Sequence, residues 1–235
     1  MAVLSDLKVF ATHPHQCSYL DGQQATTLFI DPETNVDVKT YSQLADAGFR
    51  RSGAHIYRPH CDNCNACISV RVPVTDFKPS RKQRKVINRN NDLRTFEIDN
   101  IHSDECYQLY HRYISARHRD GDMYPPTPEQ YESFLNDELG NTRYFGLYKD
   151  ETLVAVAVTD ILENGLSAIY TFFDPDYPKR SLGSYAILWQ IKKCLELELP
   201  YLYLGYWIKQ CQKMSYKSDY RPLQLLVNNR WVSIA

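Results

Sequence analysis

The sequence predicts an α+β fold in which a mixed β-sheet carries flanking helices. Three consecutive segments, 143–148, 153–161 and 166–173, have the period and composition of strands, and an Asn-Gly turn joins the last two. An amphipathic stretch at 181–197 and a strand at 200–205 follow, which is the order of a crossover connection. With 235 residues, 43% of them hydrophobic, the chain can bury such a core, and it is neither disordered, collagenous nor a coiled coil.

Two helices are predicted before these strands, because each begins with recognisable capping residues. Ser103 is a suitable N-cap for a helix through about His118. Thr127 is followed by Pro128 at the first helical position and Gln130 at the third, which is the capping-box arrangement.

The first hundred residues read as a smaller, cysteine-containing region. Ser80 is the predicted N-cap of a helix that runs to about residue 90. A break at 98–101 predicts a division into residues 1–98, with the cysteines and the basic helix, and residues 99–235. The remaining predicted elements are strands at 7–11, 26–30, 55–58 and 68–74, a short helix at 41–47, and a terminal hairpin at 223–227 and 231–234.

The order of an antiparallel meander and then a crossover resembles the GNAT-type N-acetyltransferase fold. That resemblance implies that the loop before the crossover helix, and the first turn of the helix, bind a pyrophosphate through backbone amides. Arg180 and Gly183 match the family's fingerprint at this point, but Tyr185 stands where a small residue is expected. An ordinary helix start with a flexible glycine explains the pattern equally well.

Three cysteines, Cys61, Cys64 and Cys67, lie within seven residues. Gaps of two residues allow thiolates to converge on one centre, with Cys17 or His60 as a fourth ligand. Soft sulfur ligands favour zinc or an iron–sulfur cluster over magnesium or calcium. Reduced thiols that line a loop, and a disulfide, are the alternatives.

Positive charge is concentrated in residues 50–94, which hold eleven basic and three acidic residues, although the whole chain has a net charge of −1. On the predicted basic helix, four like charges at helical spacing lie on one face and repel each other, which favours a nucleic-acid partner over a merely solvated surface. The residues predicted to contact it are Lys78, Arg81, Lys82, Arg84, Lys85 and Arg89.

Several longer motifs resemble the aminoacyl-tRNA–protein transferases, and the resemblance covers nearly the whole chain. The motifs are Gly48-Phe49-Arg50-Arg51-Ser52-Gly53, Tyr57-Arg58-Pro59-His60-Cys61, Ser181-Leu182-Gly183, Tyr203-Leu204-Gly205-Tyr206-Trp207-Ile208 and Met214-Ser215-Tyr216-Lys217.

This resemblance implies an enzyme that moves leucine from leucyl-tRNA to the α-amine of proteins beginning with Asp or Glu, and so creates a degradation signal. It implies a cytoplasmic protein, no cofactor required for transfer, and an optional zinc or iron–sulfur site at Cys17, Cys61, Cys64 and Cys67. The longest apolar run, 153–158, is far shorter than the roughly 20 residues of a spanning helix, so no membrane partner is expected. The alternatives are an arginyltransferase, a metal-bearing RNA-binding module without catalysis, and a coenzyme A-dependent acetyltransferase.

Asp174 and Tyr206 are the candidate catalytic residues. Asp174 follows the strand before the crossover helix and is expected to orient or deprotonate the amine; a turn Asp before Pro175 is the plainer interpretation. Tyr206 is expected to donate to the leaving hydroxyl, with sheet packing as its alternative. The donor leucine requires an apolar pocket, for which the candidates are Tyr170, Phe172 and Phe173.

The side-chain carboxylate of an Asp or Glu acceptor requires a cation. A guanidinium binds a carboxylate through two parallel hydrogen bonds, and an ammonium binds it as a point charge. Ion pairs within the protein are the competing explanation for each candidate. The candidates are Arg50, Arg51, Arg58 and Lys217.

Overall fold

The computed structural model describes residues 7–136 and 139–234, which form one large and two smaller sheets with five α-helices. The helices are α1 (Val38–Asp46), α2 (Arg81–Arg89), α3 (Asp104–Arg117), α4 (Pro128–Leu135) and α5 (Leu182–Glu196). The strands are β1 (Val9–Ala11), β2 (His15–Gln16), β3 (Gln24–Ala25), β4 (Thr27–Ile30), β5 (Arg50–Ser52), β6 (His55–Pro59), β7 (Ile68–Pro73), β8 (Leu93–Glu97), β9 (Thr142–Lys149), β10 (Thr152–Leu162), β11 (Gly165–Phe173), β12 (Tyr201–Trp207), β13 (Leu223–Val227) and β14 (Arg230–Ile234).

The large sheet has eight strands in the order β14-β13-β7-β12-β11-β10-β9-β8. The β11–β12 pair is parallel and the other pairs of this sheet are antiparallel, so the predicted mixed sheet with flanking helices is confirmed. Strands β7 and β8, which come from the first 98 residues, belong to this sheet. The two stretches on either side of residue 98 therefore share one sheet, and the division into two domains stays a prediction.

Strand β10 is buried on both faces because helices cover the sheet on each side. Val156 packs with Leu109 of α3, and Ala157 packs with Ala186 of α5. Burial on both faces explains why 153–158 is a continuous apolar run in the sequence instead of an alternating one.

Strands β11 and β12 pair with each other only over their first three residues. The pairs are Gly165 with Tyr201, Leu166 with Leu202 and Ser167 with Tyr203. Beyond them β12 continues along β7, after a bulge next to Gly205, whose φ of +79° is a conformation that glycine adopts without strain. The ends of β11 and β12 therefore separate, and Asp174 and Tyr206 lie on the two separating ends.

The four-stranded sheet β1-β4-β6-β5 packs with α1 against the large sheet. Ile30, Leu44 and Ile56 from this layer share one apolar cluster with Leu162 and Tyr203 from the large sheet. This packing brings β5, and with it the consecutive residues Arg50 and Arg51, against the middle of the large sheet.

The capping predictions for three helices are confirmed. Ser80 and Gln83 form a capping box at the start of α2, and Ser103 and Thr127 cap α3 and α4. The short first helix begins earlier than predicted, at Val38, because the Asp37 side chain caps it.

The sequence pattern did not predict strand β8. This strand lies at the edge of the large sheet, and most of its side chains are exposed or half-buried, so it has little apolar period to detect. In the described part of the chain, none of the helices has the length and apolar character needed to cross a membrane.

Candidate active site and nucleic-acid interface

A cavity of about 970 Å³ lies between the two smaller sheets, the loop that holds Cys61, Cys64 and Cys67, and the β13–β14 turn. Its volume is at the upper end of the about 300–1,000 Å³ typical of ligand pockets. The sequence-predicted residues and their neighbours in its wall are Cys17, Tyr57, Arg58, Cys61, Cys64, Cys67, Ser69 and Tyr206.

The four predicted ligand cysteines, Cys17, Cys61, Cys64 and Cys67, all line this cavity. Burial, and then the neighbouring thiols, raise the pKa of Cys67 to about 12, so that thiol is protonated at neutral pH unless a metal ion displaces its proton. Within residues 7–136 and 139–234, however, no three His, Cys, Asp or Glu side chains converge in a geometry suited to a metal ion. The thiols have the right chemistry for zinc or iron but not the arrangement, and the metal site stays a prediction.

Tyr206 and Arg58 contact the cavity from the strand side. The Tyr206 hydroxyl donates to the carbonyl oxygen of Gly48 at 2.7 Å and lies 3.3 Å from that of Tyr57. Burial raises the pKa of Tyr206, so the hydroxyl stays protonated. The Arg58 guanidinium donates a hydrogen bond to the carbonyl oxygen of Ala47 at 2.9 Å. The catalytic role of Tyr206 and the acceptor-binding role of Arg58 stay predictions.

Arg50 and Lys217 are buried cations directly behind this wall. Arg50 donates through Nη2 to Ser69 Oγ at 3.0 Å, but its Nε and Nη1 have no hydrogen-bond partner among the described residues. Lys217 donates from Nζ to the carbonyl oxygen of Tyr206 at 2.6 Å. Burial, and then the charge of Arg50, lower the pKa of Lys217 to about 7.

Arg51 has a different environment from its neighbour because a buried carboxylate already pairs with its guanidinium, and its role in acceptor binding stays a prediction. Its Nη2 and Nε donate to both carboxylate oxygens of Asp160, at 2.7 and 2.8 Å, and both side chains are almost fully buried. Nη1 donates to the carbonyl oxygens of Gly53 and Asn136, and Nη2 also reaches Thr142. Since all its nitrogens are engaged inside the protein, Arg51 serves the core.

Asp174 is buried and bound by protein groups. Its carboxylate accepts from Arg112 Nη2 at 3.0 Å and from the backbone N–H of Asp176 at 3.0 Å. Arg112 is half exposed, so the pair stands at the surface end of the separated strands. Asp174 is not among the residues that line the cavity, and its catalytic role stays a prediction.

The basic helix α2 exposes its charges and buries a narrow stripe. Gln83 and Val86 are buried, and Val86 belongs to the main apolar cluster. Arg89 donates to the carbonyl oxygen of Lys179, which extends the positive surface towards the start of α5. The exposed cations are Lys78, Arg81, Lys82, Arg84, Lys85 and Arg89. The structure thus collects the predicted tRNA-binding side chains on one surface, here called the α2 ridge.

Arg180 and Gly183 flank the start of α5. Arg180 forms a bidentate ion pair with Asp92, with both distances 2.7 Å, so it already has an anionic partner. A Cβ at Gly183 would meet the ring of Phe173 at 3.1 Å, so glycine here allows close packing of helix on strand. Ser181 has φ +54° and makes no capping hydrogen bond, which leaves the first N–H groups of α5 without a side-chain cap. Phosphate binding here stays a prediction.

Of the three residues proposed for the leucine pocket, Phe172 is wholly enclosed by Tyr110 and Tyr131 and is a core residue. Tyr170 and Phe173 are only half-buried and stay candidates.

Sequence reasoning missed the partners that decide which charges are available. Arg112, Asp160 and Asp92 each neutralise a predicted site residue, yet they lie 62 to 109 residues away along the chain. No local motif marks such pairs.

Two comparisons of the sequence with known proteins agree on one family. The model for the N terminus of the arginine-tRNA-protein transferases matches residues 15–85, and the model for their C terminus matches residues 105–227. An aspartate/glutamate leucyltransferase from Teredinibacter turnerae is 56% identical over 236 residues, covering 100% of this chain and 97% of that protein. One from Pseudomonas fluorescens is 55% identical over 99% of both chains.

Among solved structures, FemX aligns with 90% of this chain and 82% of its own, at 8% identity and a TM-score of 0.49. At these values the likeness carries no functional information.

Proposed function

The chain belongs to the arginine-tRNA-protein transferase family, and we propose that it transfers leucine from leucyl-tRNA to the α-amine of proteins that begin with Asp or Glu. It is an aminoacyltransferase. The observation that carries the choice of leucine and of acidic acceptors is its identity of 53–56%, over nearly the whole chain, with relatives named aspartate/glutamate leucyltransferase. The modified proteins are then degraded in the cytoplasm.

The α2 ridge supports the tRNA part of this proposal. Its six cations are exposed, and the contact between Lys82 and Asp219 is a loose ion pair of 3.9 Å that leaves the lysine accessible. Each phosphate that such a surface neutralises releases counterions, so binding weakens steeply with salt. The ridge continues through Lys179 to the start of α5, which lies next to Phe173 on the separated end of β11.

The transfer requires little chemical assistance. The acceptor α-amine has an ordinary pKa of about 7.7–8.0, so part of it is neutral at pH 7. Its nitrogen attacks the ester carbonyl carbon of leucyl-tRNA, the carbon–oxygen bond to the ribose breaks, and the proton lost by nitrogen leaves with the ribose hydroxyl. An amide replaces an activated ester, so holding the two reactants in contact supplies most of the acceleration.

Four donor conditions test the proposal with one acceptor, a peptide beginning with Asp: leucyl-tRNA, arginyl-tRNA, acetyl-CoA and no donor. Mass spectrometry of the peptide identifies the added group. We expect a leucine adduct, and no adduct on a peptide that begins with Ala. Addition of arginine or acetyl would replace the proposal by the corresponding transferase. No adduct from any donor, together with retained tRNA binding, would favour a non-catalytic RNA-binding module.

A further inference from the structure

Among the residues that the structure describes, Arg50 and Lys217 are two buried cations without an acidic partner. Arg50 is 4% exposed and Lys217 is 9% exposed. Within residues 7–136 and 139–234, neither forms an ion pair with a carboxylate, and Arg50 keeps two N–H-bearing nitrogens unsatisfied. The other two buried arginines of these ranges are neutralised, Arg51 by Asp160 and Arg71 by Asp46.

Such an arrangement is unfavourable in the ligand-free protein. A buried charge loses its hydration and is normally compensated by an opposite charge or a full set of hydrogen bonds. The two cations also repel each other: burial, and then the positive charge of Arg50, lower the pKa of Lys217. Perturbed, uncompensated charges of this kind concentrate at functional sites, where a ligand supplies the missing partner.

The position of the pair connects it to the cavity. Ser69, which accepts from Arg50, and Tyr206, whose carbonyl accepts from Lys217, both line the cavity wall. The unsatisfied Arg50 nitrogens are shielded from solvent. A ligand in the cavity therefore contacts them only after part of the cavity wall has moved. Arg58 lines the same cavity and adds a third cation to its surroundings.

We propose that Arg50 and Lys217 together form the subsite for the side-chain carboxylate of the acceptor's first residue, and so determine the preference for Asp and Glu. This inference rests on the proposed function. Either unsatisfied nitrogen of the guanidinium, Nε or Nη1, can donate a charge-assisted hydrogen bond to a carboxylate oxygen, and the nearby ammonium of Lys217 adds a second positive charge. The neutral amide of an Asn or Gln acceptor would leave the positive charge uncompensated and binds more weakly.

Binding of the acceptor carboxylate at this subsite is coupled to the protonation of Lys217. The groups that face Lys217 are Arg50 from β5, Tyr206 from β12, and Cys211 and Tyr216 from its own segment. A bound carboxylate favours the ammonium form, so above about pH 7 the lysine takes up a proton as the acceptor binds. The preference for Asp over Asn therefore falls as the pH rises from 7 to 9. Deprotonation of the α-amine affects both acceptors equally and cancels in this ratio.

The experiment compares Lys217→Met and Arg50→Met with wild type and with a matched control, Lys213→Met. Lys213 lies one turn away and forms an exposed ion pair with Asp120, so its loss changes little. The kcat/KM of peptides beginning with Asp and with Asn, the KM for leucyl-tRNA and the melting temperature are measured for each. We expect the Asp-to-Asn ratio to fall about tenfold or more in both site variants, with the KM for tRNA unchanged. Their melting temperatures should equal or exceed that of wild type, because a buried uncompensated charge has been removed.

Other results overturn the inference. An unchanged ratio excludes the carboxylate subsite, and a fall in kcat at constant ratio assigns the cations to the reacting carbonyl. Melting temperatures well below wild type in both variants show that the cations support the fold. If wild type transfers nothing, the proposed function fails; the subsite is then judged by calorimetric binding of the Asp peptide, which supports it when both variants lose binding that the control retains, and overturns it when wild type shows none.

Discussion

The buried ion pair between Arg51 and Asp160 makes a strong prediction about stability. Arg51→Met removes the cation and leaves the Asp160 carboxylate inside the protein with two neutral side-chain donors among the described residues, Tyr41 and Thr142. Breaking a buried pair in this way costs about 3–5 kcal/mol. For a chain of this size, 1 kcal/mol corresponds to a shift of about 2–4 °C in melting temperature, so we expect a loss of roughly 6–20 °C.

The assay is urea and thermal unfolding followed by circular dichroism. A second variant, Arg51→Met with Asp160→Asn, keeps an acceptor for Tyr41 but removes the stranded charge, and should recover at least about 1 kcal/mol of the loss. A loss below about 1 kcal/mol in the single variant, or no recovery in the double variant, would refute the assignment of Arg51 to the core. Arg50→Met serves as a comparison. Arg50 is the neighbour of Arg51 on β5, but it has no carboxylate partner among the described residues, so its replacement is expected not to destabilise the protein.

The remaining predictions concern the interface, the site and its titration. Replacing Arg81 and Arg84 with Gln should weaken tRNA binding and reduce the slope of log K against log salt by about 0.7–0.9 for each phosphate that the protein no longer neutralises; an unchanged slope, measured by filter retention, removes the α2 ridge from the interface. Asp174→Asn should lower kcat with little change in the KM of either substrate, if the carboxylate orients the amine; an unaltered kcat leaves it a turn residue. Lys217 has a pKa of about 7 when folded and 10.5 ordinarily, so the unfolded chain binds more protons between these values. Wild type should therefore gain stability relative to Lys217→Met as the pH rises from 7 to 9, by at most about 1.4 kcal/mol per pH unit; a flat difference in melting temperature contradicts the shifted pKa. Anaerobic purification followed by elemental analysis tests the predicted metal site at the four cavity thiols: zinc or iron near stoichiometry would support it, and the absence of both would exclude it.

The local part of the fold followed from the sequence because its causes are local. Ser80 with Gln83, and Thr127 with Pro128, satisfy the free N–H groups of their own helices, so three or four residues suffice to place a helix start. The alternation in β7 and the apolar run in β10 record which faces are buried. The α2 ridge was predictable for the same reason, since helical spacing alone puts its cations on one side.

Which charges are free for function depended on long-range packing. Arg50 and Arg51 are identical in type and adjacent on β5, yet Arg51 meets Asp160 while Arg50 faces Ser69 and the cavity wall. Successive residues of a strand point to opposite faces, so which one finds a carboxylate depends on a strand more than a hundred residues away. The amino-acid order specified the kinds of groups and their local arrangement. The assembled fold selected their partners, because desolvation makes an ionised side chain depend on whichever opposite charge is brought within hydrogen-bonding distance.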